Sequence, residues 1–179
     1  MDFEKVKQAI MLFPDFPQPG VNFKDISPLL ENPQYFTFIV DAMTAAVAKM
    51  HVNKIVAIDA RGFLFGSAIA YKLKKSLVIC RKKGKLPGEL VTRSYQYEYS
   101  TSEISIQRDK LNTNDIVAIV DDVLATGSTA KAAYEIIEQY AYAAGFICLI
   151  ELDSLKGRNN LLKKTTWPNT NIISFIHYS

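Results

Sequence analysis

The sequence predicts an α/β protein built on a doubly wound, mostly parallel sheet. Three observations carry that expectation. Short apolar runs rich in β-branched residues, at 54–59, 77–81, Ile116–Val120 and 146–152, read as buried strands. Segments with helical apolar spacing separate several of them, which is the pattern of parallel strands joined by crossover helices. Finally, Asp121 and Asp122 end one strand, and the small-residue loop Ala125, Thr126, Gly127, Ser128, Thr129 opens the next helix. In such sheets ligands bind at the carboxyl ends of strands.

The elements follow in order. Asp2 caps a helix whose Phe3, Val6, Ile10 and Phe13 share a face until Pro14 stops it. Residues 14–28 read as a Pro-rich loop. Asn32-Pro33 opens a second helix with Phe36, Ile39, Met43, Val47 and Met50 on one side. A strand at 54–59, a helix at 62–74 and a strand at 77–81 come next. After a long loop, 102–107 alternates polar and apolar as a strand does. Asn114-Asp115 turns the chain into Ile116–Val120. From Thr129, the spacing of Ala132, Ala133, Ile136, Ile137 and Tyr140 predicts a helix, with Gly145 as its cap. The chain closes with a strand at 146–152, a polar loop or short helix at 155–164, and a strand at 172–177.

Composition narrows the function classes. At 179 residues, 49% hydrophobic, the chain is expected to form one domain with a full core. A net charge of +3 suits a small anionic substrate and excludes a nucleic-acid-coating protein. Cys80 and Cys148 lie in apolar runs without C-x-x-C spacing, so buried free thiols in a reducing cytoplasm are expected. His51 and His177 are too far apart in sequence to suggest a metal constellation. No apolar stretch reaches the roughly 18 residues of a membrane span, so neither export nor insertion is expected.

The chemistry concentrates around the two acids. Unpaired N–H groups at a helix start, the positive dipole end and the hydroxyls of Thr126, Ser128 and Thr129 make a phosphate site. A nucleotide-binding lysine loop, G-x-x-x-x-G-K-[ST], is absent from the sequence. Asp121 and Asp122 instead suit the paired hydroxyls of a ribose, directly or through a hydrated metal. A sugar phosphate is the implied ligand; the alternative is a capped turn with solvated aspartates. Arg61 and Gly62 stand at the carboxyl end of the 54–59 strand, where Gly62 would let backbone approach an anion. Arg81, Lys82, Lys83 and Lys85 concentrate positive charge around Gly84, suited to an anionic ligand. Basic runs are more often solvated, and Lys83 is read so. Val21 and Phe23 offer apolar and aromatic surface that would stack on a purine, or pack as a lid on the core.

V-D-D-V-L-A-T-G-S-T, at 120–129, resembles the phosphoribosyl pyrophosphate signature of the type I phosphoribosyltransferases. The segments at 14–30, 59–66, 81–88, 95–99 and 151–158 resemble, in order and spacing, the adenine phosphoribosyltransferase family. The resemblance implies the type I fold, with an N-terminal helix and base-covering hood at 1–33 and a flexible catalytic loop at 81–101. It implies transfer of phosphoribosyl from phosphoribosyl pyrophosphate to adenine, giving AMP and pyrophosphate, with Mg²⁺ held mainly by the substrate and a cytoplasmic homodimer.

The same resemblance assigns residues. Arg61, Arg81, Lys82 and Lys85 take pyrophosphate, with Arg61 and Lys85 acting catalytically. Asp121 and Asp122 hold the ribose, and Ala125, Thr126, Gly127, Ser128 and Thr129 the 5′-phosphate. Val21, Phe23, Lys24 and Leu152 bind the base, while Glu98 exchanges a proton with it and Tyr99 belongs to the closing loop. Lys24 and Ser128 depart from the arginine and glycine usual in the family. Two rivals follow: a phosphoribosyltransferase for a 6-oxo purine, which would usually lack the hood and the tyrosine segment, and a regulatory binding module without turnover, which would usually add a basic or DNA-binding domain.

Overall fold

The computed structural model describes residues 1–97, 100–166 and 171–179. They fall into two compact units, Met1–Ala42 and Met43–Ser179.

In the first unit, α1 (Phe3–Gln8) starts as its sequence predicts: Asp2 Oδ1 accepts from the Lys5 N–H at 2.9 Å. It ends before Pro14. Met11–Phe13 forms β1, which pairs antiparallel with β2 (Phe23–Asp25), Phe13 facing Phe23. A short apolar run fits helix and strand alike, and here a backbone partner ten residues on decides. The stretch read as loop therefore carries β2 and the start of α2 (Ser27–Glu31). Phe16 meets the Phe23 ring edge-on, with centroids 5.3 Å apart. The helix α3 (Pro33–Ala48) begins where expected, Asn32 Oδ1 accepting from the Gln34 N–H at 2.9 Å.

The second unit continues with β3 (Lys54–Ile58), α4 (Gly62–Leu73), β4 (Ser76–Lys82), β5 (Leu90–Tyr97), β6 (Ser100–Gln107), β7 (Ile116–Val120) and β8 (Val123–Leu124). Then come α5 (Ser128–Ile137), β9 (Tyr142–Ile147), β10 (Ile150–Leu152), α6 (Gly157–Leu162), β11 (Ile172–Ile173) and β12 (Ile176–Tyr178). A seven-stranded sheet runs β11-β9-β7-β3-β4-β6-β5. Its first five strands are parallel, and β6 and β5 add antiparallel. Three parallel strands, β12-β10-β8, make a second sheet. Val56, Ile58, Val117, Ile119, Ile136, Ile137 and Phe146 are buried in one core cluster, each contributing about 1.5–3 kcal/mol by burial.

The differences from expectation have physical reasons. Residues 90–97 form β5 where a loop was expected, with Val91 and Tyr95 packed on the core cluster. Gly145 does not cap α5, which ends at Ile137. It lies within β9, where a Cβ would stand 2.5 Å from Asn171 O, so the glycine admits a passing chain. The run 146–152 breaks into β9 and β10 because the Leu149 and Ile150 N–H groups both donate to Asp122 O, at 3.1 and 3.0 Å, taking the chain from one sheet to the other. The segment 172–177 divides likewise into β11 and β12.

Candidate functional site

Parallel pairing of β3 with β7 sets Ala57 beside Val120, so both strands release their chains at the same edge of the sheet. The residues that follow them meet there. Arg61 Nη2 lies 2.8 Å from Asp122 Oδ2, an ion contact without the alignment of a hydrogen bond. Asp122 is buried, and its N–H donates to Asp121 Oδ1 at 2.8 Å. Burial, and then the Asp122 carboxylate, push Asp121 well above the usual carboxylate range. Burial raises Asp122 too, with Arg61 the chief opposing influence.

Gly62 serves this arrangement differently from its sequence reading. A Cβ there would lie 2.8 Å from Val120 O and 3.0 Å from Asp121 Oδ1. At Gly66, one turn on, it would lie 2.5 Å from Ala57 Cβ. The two glycines let α4 settle on β3 and the end of β7, which brings Arg61 to the acids. The Asp59–Ala60 peptide between β3 and Arg61 is cis.

Beyond Asp122, β8 leads into the small-residue loop. Gly127 has φ +81°, and α5 starts without a side-chain cap. The Thr126 hydroxyl donates to Ser128 Oγ at 3.1 Å. Among the described residues, the backbone N–H groups of Thr126 and Gly127 have no hydrogen-bond partner. Free amides, the helix dipole and flanking hydroxyls form a concave site for an anion. A cavity of about 360 Å³ lined by Ser94, Tyr95, Ser128, Lys131, Ala132 and Glu135 adjoins the start of α5.

The basic run divides. The Asp59 side chain, only 5% exposed, accepts from Arg81 Nε at 3.2 Å and lies 3.8 Å from Lys85 Nζ. Arg81 also donates to Lys85 O at 3.3 Å and lies over the Phe63 ring. Lys83 is exposed and pairs with Glu103, whose carboxyl it holds below the usual range. Lys82 is exposed at the end of β4 and joins neither pair.

Sequence reasoning missed Asp59. The parallel between D-A-R after β3 and D-D after β7 was the available signal, since both place carboxylates at adjacent strand ends. Leu152 is half-buried at the end of β10. Val21, Phe23 and Lys24 lie in the first unit, where burial lowers the Lys24 pKa and its ammonium donates to Asn22 O at 3.1 Å. Glu98 and Tyr99 lie outside the described residues. The buried thiols are as expected: Cys80 and Cys148 are free, and burial raises both.

Comparison with known proteins gives the same reading from another direction. Residues 30–175 match the phosphoribosyl transferase domain. The adenine phosphoribosyltransferase of Carboxydothermus hydrogenoformans is 42% identical over 97% of this chain and 99% of its own. The crystal structure of the Thermoanaerobacter pseudethanolicus enzyme of that name, 38% identical, superposes with TM-score 0.91 over 98% of this chain and 99% of its own. That of the Saccharomyces cerevisiae enzyme, complexed with adenine and an imino-altritol bisphosphate, is 35% identical with TM-score 0.87, over 96% and 97%. Near full-length identity and superposition of this order agree with the strand-end acid pair and the small-residue loop that opens α5: the chain belongs to the adenine phosphoribosyltransferase family.

Proposed function

We propose that the residues gathered at the carboxyl ends of β3 and β7 carry the reaction of this family: adenine and phosphoribosyl pyrophosphate give AMP and pyrophosphate, a step of purine salvage. One observation carries the assignment. Asp121 and Asp122 follow β7 directly, and the two-residue β8 leads from them into the uncapped start of α5, so one short stretch of chain offers groups complementary to ribose hydroxyls and a 5′-phosphate.

Charge leaves the anomeric carbon with the diphosphate as an oxocarbenium-like transition state forms. Arg61, Arg81 and Lys85 supply fixed positive charge for that leaving group. Lys82, at the end of β4, joins them as a further contact. In the free protein Asp122 and Asp59 hold these cations in place, which limits reorganisation when substrate arrives. Ala125, Thr126, Gly127, Ser128 and Thr129 take the 5′-phosphate. Ser128 retains its backbone N–H despite the family's usual glycine, and sits in the first turn of α5 where any residue is accommodated.

Phosphoribosyltransferases generally use Mg²⁺ with this donor. The residues present fit the ion: Asp122 Oδ2 is buried, in ion contact with Arg61 but without a hydrogen bond among the described residues, and Asp121 lies beside it, offering hard oxygen donors. Held mainly by the donor's own oxygens, Mg²⁺ would neutralise developing diphosphate charge. Val21 and Phe23 are assigned to adenine, Lys24 and Leu152 to further contacts with it, Glu98 to proton exchange with its imidazole edge, and Tyr99 to the closing loop.

We place the enzyme in the cytoplasm on the two free thiols; among the described residues no helix is long and apolar enough to cross a membrane. A homodimer is supported by the exposed Leu64 and Tyr71 on α4, which light scattering of the purified protein tests. Steady-state rates with adenine, hypoxanthine and guanine test the function. Adenine should be favoured at least about tenfold, because a 6-oxo purine leaves polar groups mispaired. Equal turnover of hypoxanthine would assign the site to a different base.

A further inference from the structure

The loop of residues 125–129 is held by more than its own hydrogen bonds. Its outer side rests on the first turn of α6. A Cβ on Gly157 would stand 2.1 Å from Ala125 O and 3.0 Å from Gly127 N. In the other direction, a Cβ on Gly127 would stand 2.7 Å from Gly157 O. Two glycine backbones are thus pressed together with no room for a side chain on either facing side. Asn160, one turn further, donates from Nδ2 to Thr126 O at 3.0 Å.

These contacts fix two successive carbonyls. The peptide group is planar and trans, so its N–H points opposite to its C=O. With Ala125 O and Thr126 O both turned toward α6, the N–H groups of Thr126 and Gly127 turn away from it, and these are the amides left without partners.

The first turn of α6 is itself anchored. Arg158, next to Gly157, makes a two-point ion pair with the buried Glu151 of β10, the middle strand of the second sheet, 3.0 Å from Nε to Oε1 and 2.6 Å from Nη2 to Oε2. It also donates to Ile172 O at 2.6 Å and to Ser174 Oγ at 2.9 Å. Paired planar contacts of this kind hold direction as well as distance. The chain from Glu151 through Arg158 to Gly157 and Asn160 ties the phosphate loop to β10.

We infer that Gly157 and Asn160 are positioning residues that aim the amides of the 125–129 loop at the 5′-phosphate of the donor. This rests on the assignment of that loop to the 5′-phosphate. No contact with substrate is required of either residue. Pre-aimed dipoles bind an anion without reorganising, so losing the aim weakens the phosphate and spares the base.

The test is ribose 5-phosphate binding by calorimetry, with Michaelis constants for donor and adenine and the melting temperature, on the full-length protein. Asn160→Ala should raise the ribose 5-phosphate Kd and the donor KM about three- to tenfold, as for one lost hydrogen bond. Its adenine KM and melting temperature should stay near the parent's. Asn160→Gln, which keeps the donor, should recover to within about threefold. Gly157→Ala should weaken phosphate binding more than Asn160→Ala, and Asn159→Ala, exposed on the same helix, should change nothing. The inference is overturned if Asn160→Ala binds ribose 5-phosphate within twofold of the parent, or loses adenine and donor equally. Thr129→Ala, on the loop itself, separates the two levels. If it weakens ribose 5-phosphate while Asn160→Ala does not, only the positioning role fails; if it too leaves binding unchanged, the phosphate assignment fails.

Discussion

Arg61 Nη2 and Asp122 Oδ2 stand 2.8 Å apart, joining the chain that leaves β3 to the chain that leaves β7. The pair holds a cation and an anion together where the two strands end. Under the proposed assignment, a ribose or metal would engage the aspartate and a diphosphate the arginine.

Replacing Asp121 by Asn separates stability from function. The folded protein holds Asp121 with a raised pKa, so its ionised form opposes folding at neutral pH. Below about pH 4, where both folded and unfolded forms are protonated, that penalty vanishes. Asp121→Asn should therefore melt about 2–4 °C higher than the parent at pH 7. The gap should close as pH falls toward 4, while donor binding is weakened throughout. Melting curves from pH 4 to 8 check this; an equal gap at all pH values would deny the burial penalty.

Asp59→Asn keeps shape and removes charge. Arg81 and Lys85 would then repel one another without their shared counterion. The KM for pyrophosphate in the reverse reaction should rise about three- to tenfold, with that for AMP little changed. A change confined to AMP would place Asp59 elsewhere in the mechanism.

Gly62→Ala tests the close approach of α4. The added methyl meets Val120 O and the Asp121 side chain at 2.8 and 3.0 Å. Destabilisation of about 1–3 kcal/mol is expected, together with a raised donor KM, because relief of the clash displaces Asp121. Thermal unfolding and initial rates on one preparation decide it.

Glu98→Ala should lower kcat by about 10²–10⁴ if the glutamate exchanges a proton with the base. Donor affinity should change little. Steady-state rates for Glu98→Ala and Glu98→Gln provide the check, and retention of kcat within about threefold in both would leave the segment only a covering role.

Local pattern sufficed wherever one segment carries its own reason. Val117, Ala118, Ile119 and Val120 are all apolar because both faces of a central parallel strand are covered, and the order strand, two acids, small loop, helix is contiguous in the chain. The same holds for the Asp2 and Asn32 caps, whose partners lie within three residues. From these the sheet, the small-residue loop and the acid pair were legible, and the wider run of motifs indicated the family.

Tertiary structure decided whatever depends on a partner distant in sequence. Residues 90–97 lack a decisive alternation, and become a strand because β6 supplies the hydrogen bonds. Gly145 reads as a helix cap until Asn171, brought beside it by β11, shows the space it must leave. Asp59 gained its role only when β3 set it against Arg81 and Lys85, 22 and 26 residues on. Gly157 and Asn160 meet a loop some 30 residues earlier. Sequence spacing records hydrogen bonds and apolar faces within one element; the meeting of two elements is set by packing, which no single segment contains.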